Sequence, residues 1–191
     1  MLQKTTVLII GNGQNRCDPE RSFTFTRTIQ CNRIYAGFKK DIVIRNLNTT
    51  LEQETGLLWE YVVTEFSELW IAYASPTLLT EEARRSVYEG RIKNQYEAAR
   101  QRFNPQHKLY EPAIETTKFL LEKLQQYPPF SKPVTPTTGM IAIQEALRLG
   151  WEVHITGFDY FGGRLRIGNH FPLKEQAYQE ELIAAGKLFV E

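Results

Sequence analysis

The sequence predicts an α/β fold in a single domain, residues 1–191, with a mostly parallel central sheet flanked by helices. A chain of 191 residues suits one hydrophobic core. Short apolar runs rich in β-branched residues recur along it, and helical patterns separate the later runs, an alternation typical of α/β layers. The predicted strands are Thr6–Ile10, Thr28–Cys31, Asp41–Arg45, Leu69–Tyr73, Val153–Thr156 and Lys187–Val190.

The composition argues against several classes of protein. A formal net charge of +1 gives no support for nucleic-acid binding. No apolar run approaches the roughly 18 residues that cross a bilayer, so we expect no transmembrane segment. The first residues are typical of a strand rather than a signal peptide, and we therefore expect a cytoplasmic protein. Cys17 and Cys31 form neither a disulfide framework nor a metal-ligand pattern, and Cys31 is expected to be buried.

Two helices are predicted in the middle of the chain. Residues Thr80–Phe103 read as one long helix with an apolar face, and Arg84 falls on its polar face. A second helix, about Ala113–Gln126, buries a leucine-rich face and ends at a proline pair.

The stretch Pro136–Asp159 predicts a capped helix that leads into a buried strand. Thr137 and Thr138 can supply the N-cap, and Gly150 ends the helix. The strand then delivers Gly157-Phe158-Asp159 at its carboxyl end, which is where open α/β sheets bind ligands. The inward helical face is predicted to hold Met140, Ile143 and Leu147.

Three asparagines end the first three predicted strands. Asn12 lies in Gly11-Asn12-Gly13, and Asn32 and Asn46 close the next two strands. Each alone is typical of a turn. Parallel strands would bring all three to one crevice, where amides could contact a base or a sugar.

The last part of the chain contains a histidine at a predicted helix start. Pro172 is a good first helical residue, so His170 lies just before a helix whose dipole keeps its imidazole neutral. Glu175 could act with it or simply complement the helix dipole. Arg164 and Arg166 can grip phosphate, although a solvated pair is an equal alternative.

These motifs resemble those of the sialyltransferases of glycosyltransferase families 42 and 29. Those proteins have a Gly-Asn-Gly-like turn after the first strand, an Arg-Cys-Asn-like strand end, a Thr/Ser-Gly helix, a Gly-Phe/Ile-Asp loop and a catalytic histidine, which in family 29 is followed by a glutamate five residues on. The matching residues here, in the same order, are Gly11-Asn12-Gly13, Gln30-Cys31-Asn32, Thr137-Thr138-Gly139, Gly157-Phe158-Asp159 and His170 with Glu175. The match covers about residues 5–47 and 134–191.

The resemblance implies a single Rossmann-like, sialyltransferase-like domain with a corresponding activity. That activity is a metal-independent, inverting transfer of sialic acid from a CMP-sugar donor to the hydroxyl of a glycan acceptor, with no other cofactor. It makes His170 the general base and places Glu175 in the catalytic site. The nucleotide-sugar contacts it implies are Asn12, Asn32, Asn46, Thr137, Thr138 and Gly139. The further candidate contacts to the nucleotide sugar are Gly13, Asp159, Tyr160, Arg164 and Arg166.

The chain departs from the bacterial family after Asp159. Only residues 160–169 separate Asp159 from His170, where the family has a longer lid with phosphate-binding tyrosines, and Phe161 aligns with one of these. A second hypothesis is therefore a non-catalytic nucleotide or nucleotide-sugar binding protein that has lost the lid. A third is a structural or partner protein whose 80–103 helix packs against another chain. The sequence also allows a homo-oligomer.

Overall fold

The computed structural model describes residues 4–46, 65–128, 134–159 and 171–191. Seven strands form one sheet in which every pair is parallel. The predicted α/β class with a parallel sheet is confirmed. The strands are β1 (Thr6–Ile10), β2 (Arg27–Cys31), β3 (Ile42–Asn46), β4 (Glu68–Ala72), β5 (Lys108–Tyr110), β6 (Glu152–Thr156) and β7 (Leu188–Val190).

The strand order is β5-β4-β3-β2-β1-β6-β7. The chain builds outward from β1 on one side through β5 and then returns to pair β6 with the other side of β1. The carboxyl ends of β1 and β6 therefore form the topological switch point, the usual ligand position in such sheets. The prediction missed β5, because its three residues form no apolar run.

Five α-helices lie in the described ranges: α1 (Glu81–Val87), α2 (Lys93–Phe103), α3 (Ile114–Gln125), α4 (Thr138–Arg148) and α5 (Pro172–Ala184). Thr80 caps α1, as its Oγ accepts the Ala83 N–H at 3.2 Å. The helix predicted over Thr80–Phe103 is present as one continuous helical run, in which a π-helical turn, Tyr88–Ile92, separates α1 from α2. Single π turns of this kind widen a helix locally without ending it.

The central strands of the sheet are buried on both faces. One face packs against α4, whose Met140, Ile143 and Ala146 are fully buried with Ile9 and Ile29 of the sheet. Part of the other face packs against the helical segment that contains Ile92 and Tyr96, and the β1 part against Phe25 and Phe38. Central strands enclosed in this way read as continuous apolar runs, which is why the sequence identified most of them.

The structure tests three predicted side-chain positions. Arg84, expected on a polar face, is only 3% exposed, and its guanidinium donates to the Leu78 and Pro112 carbonyls. Leu147 is only partly buried against the core. Cys31 is buried, as predicted.

Within the described residues, no helix combines the length and the apolar character needed to cross a membrane. The same residues contain no group of three or more His, Cys, Asp or Glu side chains able to hold a metal ion.

Candidate functional site

The strand order places the three asparagines on neighbouring strand ends. Ile10 pairs with Gln30, and Cys31 pairs with Ile44, so the residues that follow these pairs leave the sheet at nearly the same level. Two inter-strand spacings amount to about 10 Å, which is within the span of one nucleotide. The structure therefore brings Asn12, Asn32 and Asn46 to one edge of the sheet.

The three amides differ in their surroundings. Asn32 has a positive φ of 59°, a left-handed conformation that asparagine tolerates, and its N–H donates to the Ile44 carbonyl at 2.9 Å. Asn32 therefore adopts a turn conformation at the end of β2. Asn46 ends β3 with its Oδ1 buried and without a hydrogen-bond partner among the described residues. A buried acceptor that lacks a donor is costly, and it marks a position where a ligand donor would be stabilising.

Hydrogen bonds hold the loops after β1 and β6 together. Gly11 donates to the Thr156 carbonyl at 2.8 Å, Gly13 donates to the Gly157 carbonyl at 2.6 Å, and Gly157 donates to the Asn15 carbonyl at 2.9 Å. A Cβ on Gly13 would lie 2.6 Å from the Gly157 carbonyl oxygen and 2.8 Å from Asp159 Cγ. The backbones of the β1 and β6 loops approach each other so closely at the switch point that only glycine fits at position 13.

Asp159 also links the loops after β1 and β6. Its Oδ2 accepts the Gln14 N–H at 3.3 Å, so this predicted site residue ties the β6 loop to the β1 loop. Its placement at the carboxyl end of β6 agrees with the sequence-based expectation.

The amino terminus of α4 faces the β6 loop. Thr137 is the N-cap, and its Oγ accepts the Met140 N–H at 3.3 Å. A Cβ on Gly139 would lie 2.6 Å from the Phe158 ring, so Phe158 packs directly on the first turn of α4. Thr138 and Gly139 are buried. The Thr-Thr-Gly motif thus places a helix amino terminus, with its partial positive charge, beside the switch point.

Glu175 connects α5 to this helix start. The residue is 4% exposed, and its two carboxylate oxygens accept the Thr137 N–H and the Thr137 Oγ–H, both at 2.7 Å. Burial raises the pKa of Glu175 to about 7, and the two hydrogen bonds from Thr137 oppose that shift. These contacts give Glu175 a positioning role at the start of α4, and its assignment to the catalytic site remains a prediction from the sequence.

Sequence reasoning missed Lys174, the neighbour of Glu175. It is 1% exposed, and its Nζ lies 5.4 Å from the centroid of the Phe171 ring without a hydrogen-bond partner among the described residues. Burial lowers the pKa of Lys174. In the sequence it reads as an ordinary first-turn lysine, and nothing there indicates its burial.

Sequence reasoning also missed Arg16 and Tyr35, which lie at the same sheet edge as the asparagines. Tyr35 Oη donates to Asn12 Oδ1 at 3.1 Å, and the Arg16 guanidinium carbon lies 4.1 Å from the centroid of the Tyr35 ring. The only available signal was position, since each residue follows a predicted strand end within a few residues.

Four predicted site residues lie outside the described residues. These are Tyr160, Arg164, Arg166 and His170. Their assignments remain predictions from the sequence.

Fold and site together define an open α/β protein with a candidate ligand crevice at the carboxyl edge of a parallel sheet. Solved structures with the same fold were found. A variant of the sialyltransferase CST-II in complex with CMP aligns with a TM-score of 0.58 and 17% identity, over 97% of this chain and 80% of that chain. Sialyltransferase CstII from Campylobacter jejuni in complex with the substrate analogue CMP-3FNeuAc aligns with a TM-score of 0.60 and 16% identity, over 97% and 78%.

No protein-family model matches the sequence, and no curated protein matches it significantly. At 16–17% identity the structural similarity establishes the fold. The fold predicted from the resemblance is therefore confirmed at the level of architecture.

Proposed function

We propose that this chain binds a CMP-activated sugar at the carboxyl edge of β1, β2 and β3, and transfers sialic acid or a related sugar to a glycan hydroxyl. The observation that carries the proposal is the Oδ1 of Asn46, which is buried and has no hydrogen-bond partner among the described residues, at the same edge of the sheet as Asn12 and Asn32. The amino and hydroxyl groups of a nucleotide sugar are suitable donors for it. The same fold in sialyltransferases solved with CMP and with CMP-3FNeuAc supports a cytidine nucleotide as the ligand.

The amino terminus of α4 supports an anionic ligand. Thr137 Oγ already accepts the Met140 N–H, so the helix dipole and the backbone at Thr138 and Gly139 are what would favour negative charge. Both the phosphate of CMP and the carboxylate of sialic acid supply such a charge. Thr138 and Gly139 lie in this first turn. In the proposal they face the anionic part of the donor, while Asn12, Asn32 and Asn46 face the nucleoside part.

The proposed chemistry uses His170 as general base. His170 takes the proton of the acceptor hydroxyl as the hydroxyl oxygen attacks the anomeric carbon, and the bond to the CMP oxygen breaks on the opposite side. The sugar is thereby inverted and CMP leaves. General-base help of this kind contributes about 10²–10⁴ in rate. Arg164 and Arg166 are proposed to neutralise the leaving phosphate, so the reaction needs no metal ion.

Nucleotide binding is tested by thermal shift with CMP, UMP and GMP. At a concentration of about 100 Kd a ligand stabilises the native state by about 2.7 kcal/mol, so CMP should raise the melting temperature clearly. Asn46→Ala should reduce the shift, and Asn94→Ala, on the exposed surface of α2, is the matched control. No shift with any cytidine nucleotide would reject the proposal.

Transfer is tested separately with CMP-sialic acid and a lactose-type acceptor. His170→Ala should abolish turnover and retain CMP binding, while Glu180→Ala, exposed on α5, should retain both. Binding of CMP without transfer or donor hydrolysis by the wild-type protein would favour the non-catalytic binding protein.

A further inference from the structure

The loop after β2 returns across the loop after β1. Tyr35 lies in it, three residues beyond Asn32, and its Oη donates to Asn12 Oδ1 at 3.1 Å. The Tyr35 N–H donates to Oε1 of Gln30 at 2.8 Å, and Gln30 is fully buried in β2. The backbone of Tyr35 is therefore anchored to the core of the sheet.

Arg16 fixes the ring of Tyr35 from the other side. Its guanidinium stacks on the ring at 4.1 Å and donates to the Gly13 carbonyl. Its methylene groups lie against Gly157, where an added Cβ would come 2.7 Å from Arg16 Cγ. One side chain thus contacts the loops that follow β1, β2 and β6. Stacking on an aromatic face is a geometry that arginine supports better than lysine.

These contacts determine which end of the Asn12 amide is available to a ligand. Because Oδ1 accepts from Tyr35, the Nδ2 group with its two hydrogens remains for an external acceptor. Asn12 itself is exposed at the sheet edge. Without Tyr35 the amide would be free to rotate and could present its oxygen as readily as its N–H groups.

We propose that Tyr35, held in place by Arg16, is a positioning residue that sets the Asn12 amide to donate an N–H to an oxygen of the nucleotide sugar. The inference rests on the proposed nucleotide-sugar binding. It adds that this part of the crevice selects a ligand acceptor, such as a hydroxyl, carbonyl or phosphate oxygen. If the Asn12 amide loses its preset orientation, it must be ordered when the nucleotide binds, at a free-energy cost similar to that of ordering one side chain. We therefore expect about 3- to 10-fold weaker nucleotide affinity without Tyr35 Oη.

A double-mutant cycle tests the inference. Calorimetry gives Kd for CMP in the wild type, Tyr35→Phe, Asn12→Ala and the double variant. Tyr35→Phe should weaken binding by about 3- to 10-fold in the wild type and by less than about 2-fold when Asn12 is already alanine. Tyr127→Phe, which removes a tyrosine hydroxyl bonded to Glu181 at the end of α3, is the control.

A silent Tyr35→Phe, or an equal loss in both backgrounds, would overturn the positioning role while CMP binding still stood. A wild-type protein that does not bind CMP would overturn the proposed function and this inference with it. Arg16→Lys keeps the charge and loses the planar stacking, so it should weaken binding as Tyr35→Phe does; full affinity in Arg16→Lys would overturn the part assigned to Arg16.

One readout needs no nucleotide. In the ligand-free protein, the side-chain amide of Asn12 should show one restricted NMR environment that becomes mobile in Tyr35→Phe. An amide equally mobile in both proteins would contradict the proposed orientation.

Discussion

The carboxylate of Glu175 accepts both the N–H and the Oγ–H of Thr137, each at 2.7 Å. Glu175 lies in the first turn of α5, and Thr137 is the N-cap of α4, so a carboxylate of one helix binds the capping residue of the other. The start of α4 is therefore held by α5. If α4 supplies the anion-binding face of the crevice, Glu175 acts on the ligand through Thr137.

The first prediction concerns the pH dependence of stability. The pKa of Glu175 is raised from 4.5 to about 7 in the folded protein, so its contribution to stability is fully present below about pH 4.5 and is lost as the pH rises through about 7. That shift corresponds to about 3 kcal/mol. The difference in unfolding free energy between the wild type and Glu175→Gln should change by up to this amount between pH 4.5 and 8.

Urea denaturation of both proteins at several pH values measures this difference, and contributions from other titrating groups cancel in it. A difference that stays constant across the range would show that Glu175 does not titrate in this way.

The second prediction concerns the cap itself. Thr137→Ala removes the acceptor for the Met140 N–H and the hydroxyl donor to Glu175. Loss of an N-cap costs about 0.5–2 kcal/mol, and the unsatisfied carboxylate oxygen adds about 1–3 kcal/mol. Thr137→Ser keeps the hydroxyl and should lie within about 0.5 kcal/mol of the wild type. Equal unfolding free energies for the two variants would contradict the assigned hydrogen bonds.

The third prediction compares two glycines. Gly13→Ala would place a Cβ against the backbone of Gly157 and Asp159, whereas a Cβ on Gly90 in the π turn meets nothing within 4 Å. Backbone atoms cannot move far to accommodate the added methyl group, so Gly13→Ala should lower the free energy of unfolding by about 1–3 kcal/mol. Gly90→Ala should be neutral or stabilise by up to about 1 kcal/mol. Thermal melts of the two variants test this, and a Gly13→Ala protein as stable as the wild type would be inconsistent with the close approach.

The fourth prediction uses neighbouring arginines of α1. Arg84 is buried and bonds the Leu78 and Pro112 carbonyls at 2.9 and 2.7 Å, whereas Arg85 is exposed. A lysine at position 84 cannot make both hydrogen bonds, so we expect Arg84→Lys to lower the free energy of unfolding by about 2–3 kcal/mol. Arg85→Lys should change the free energy of unfolding by less than about 0.5 kcal/mol. Similar losses in both variants would argue against the structural role of Arg84.

Much of the fold could be predicted because the central strands are covered on both faces. Buried parallel strands such as β1 and β3 read as continuous apolar runs. Strand β5 could not be found in this way, since its three residues are partly exposed. They form a strand by pairing with β4, and the sequence alone does not indicate that pairing. Arg84 looked like a surface residue because its burial depends on tertiary contacts, including a bond to the Pro112 carbonyl, which is distant in sequence.

The candidate site was predictable where it depends on strand ends. Asn12, Asn32 and Asn46 each follow or close a strand, and parallel pairing brings them to one edge. The contact between Tyr35 and Asn12 was not predictable, because it joins loops after different strands and requires the strand order. The engagement of Glu175 with Thr137 depends in the same way on the packing of two helices.

The central claim is that a cytidine nucleotide binds at the carboxyl edge of β1, β2 and β3. Chemical-shift mapping with CMP tests it most directly. We expect CMP to shift the backbone amides of Asn12, Asn32, Asn46 and Gly139, and to leave those of exposed α2 residues such as Asn94 unchanged. Saturating CMP that shifts none of the four, or that shifts only residues elsewhere, would contradict it.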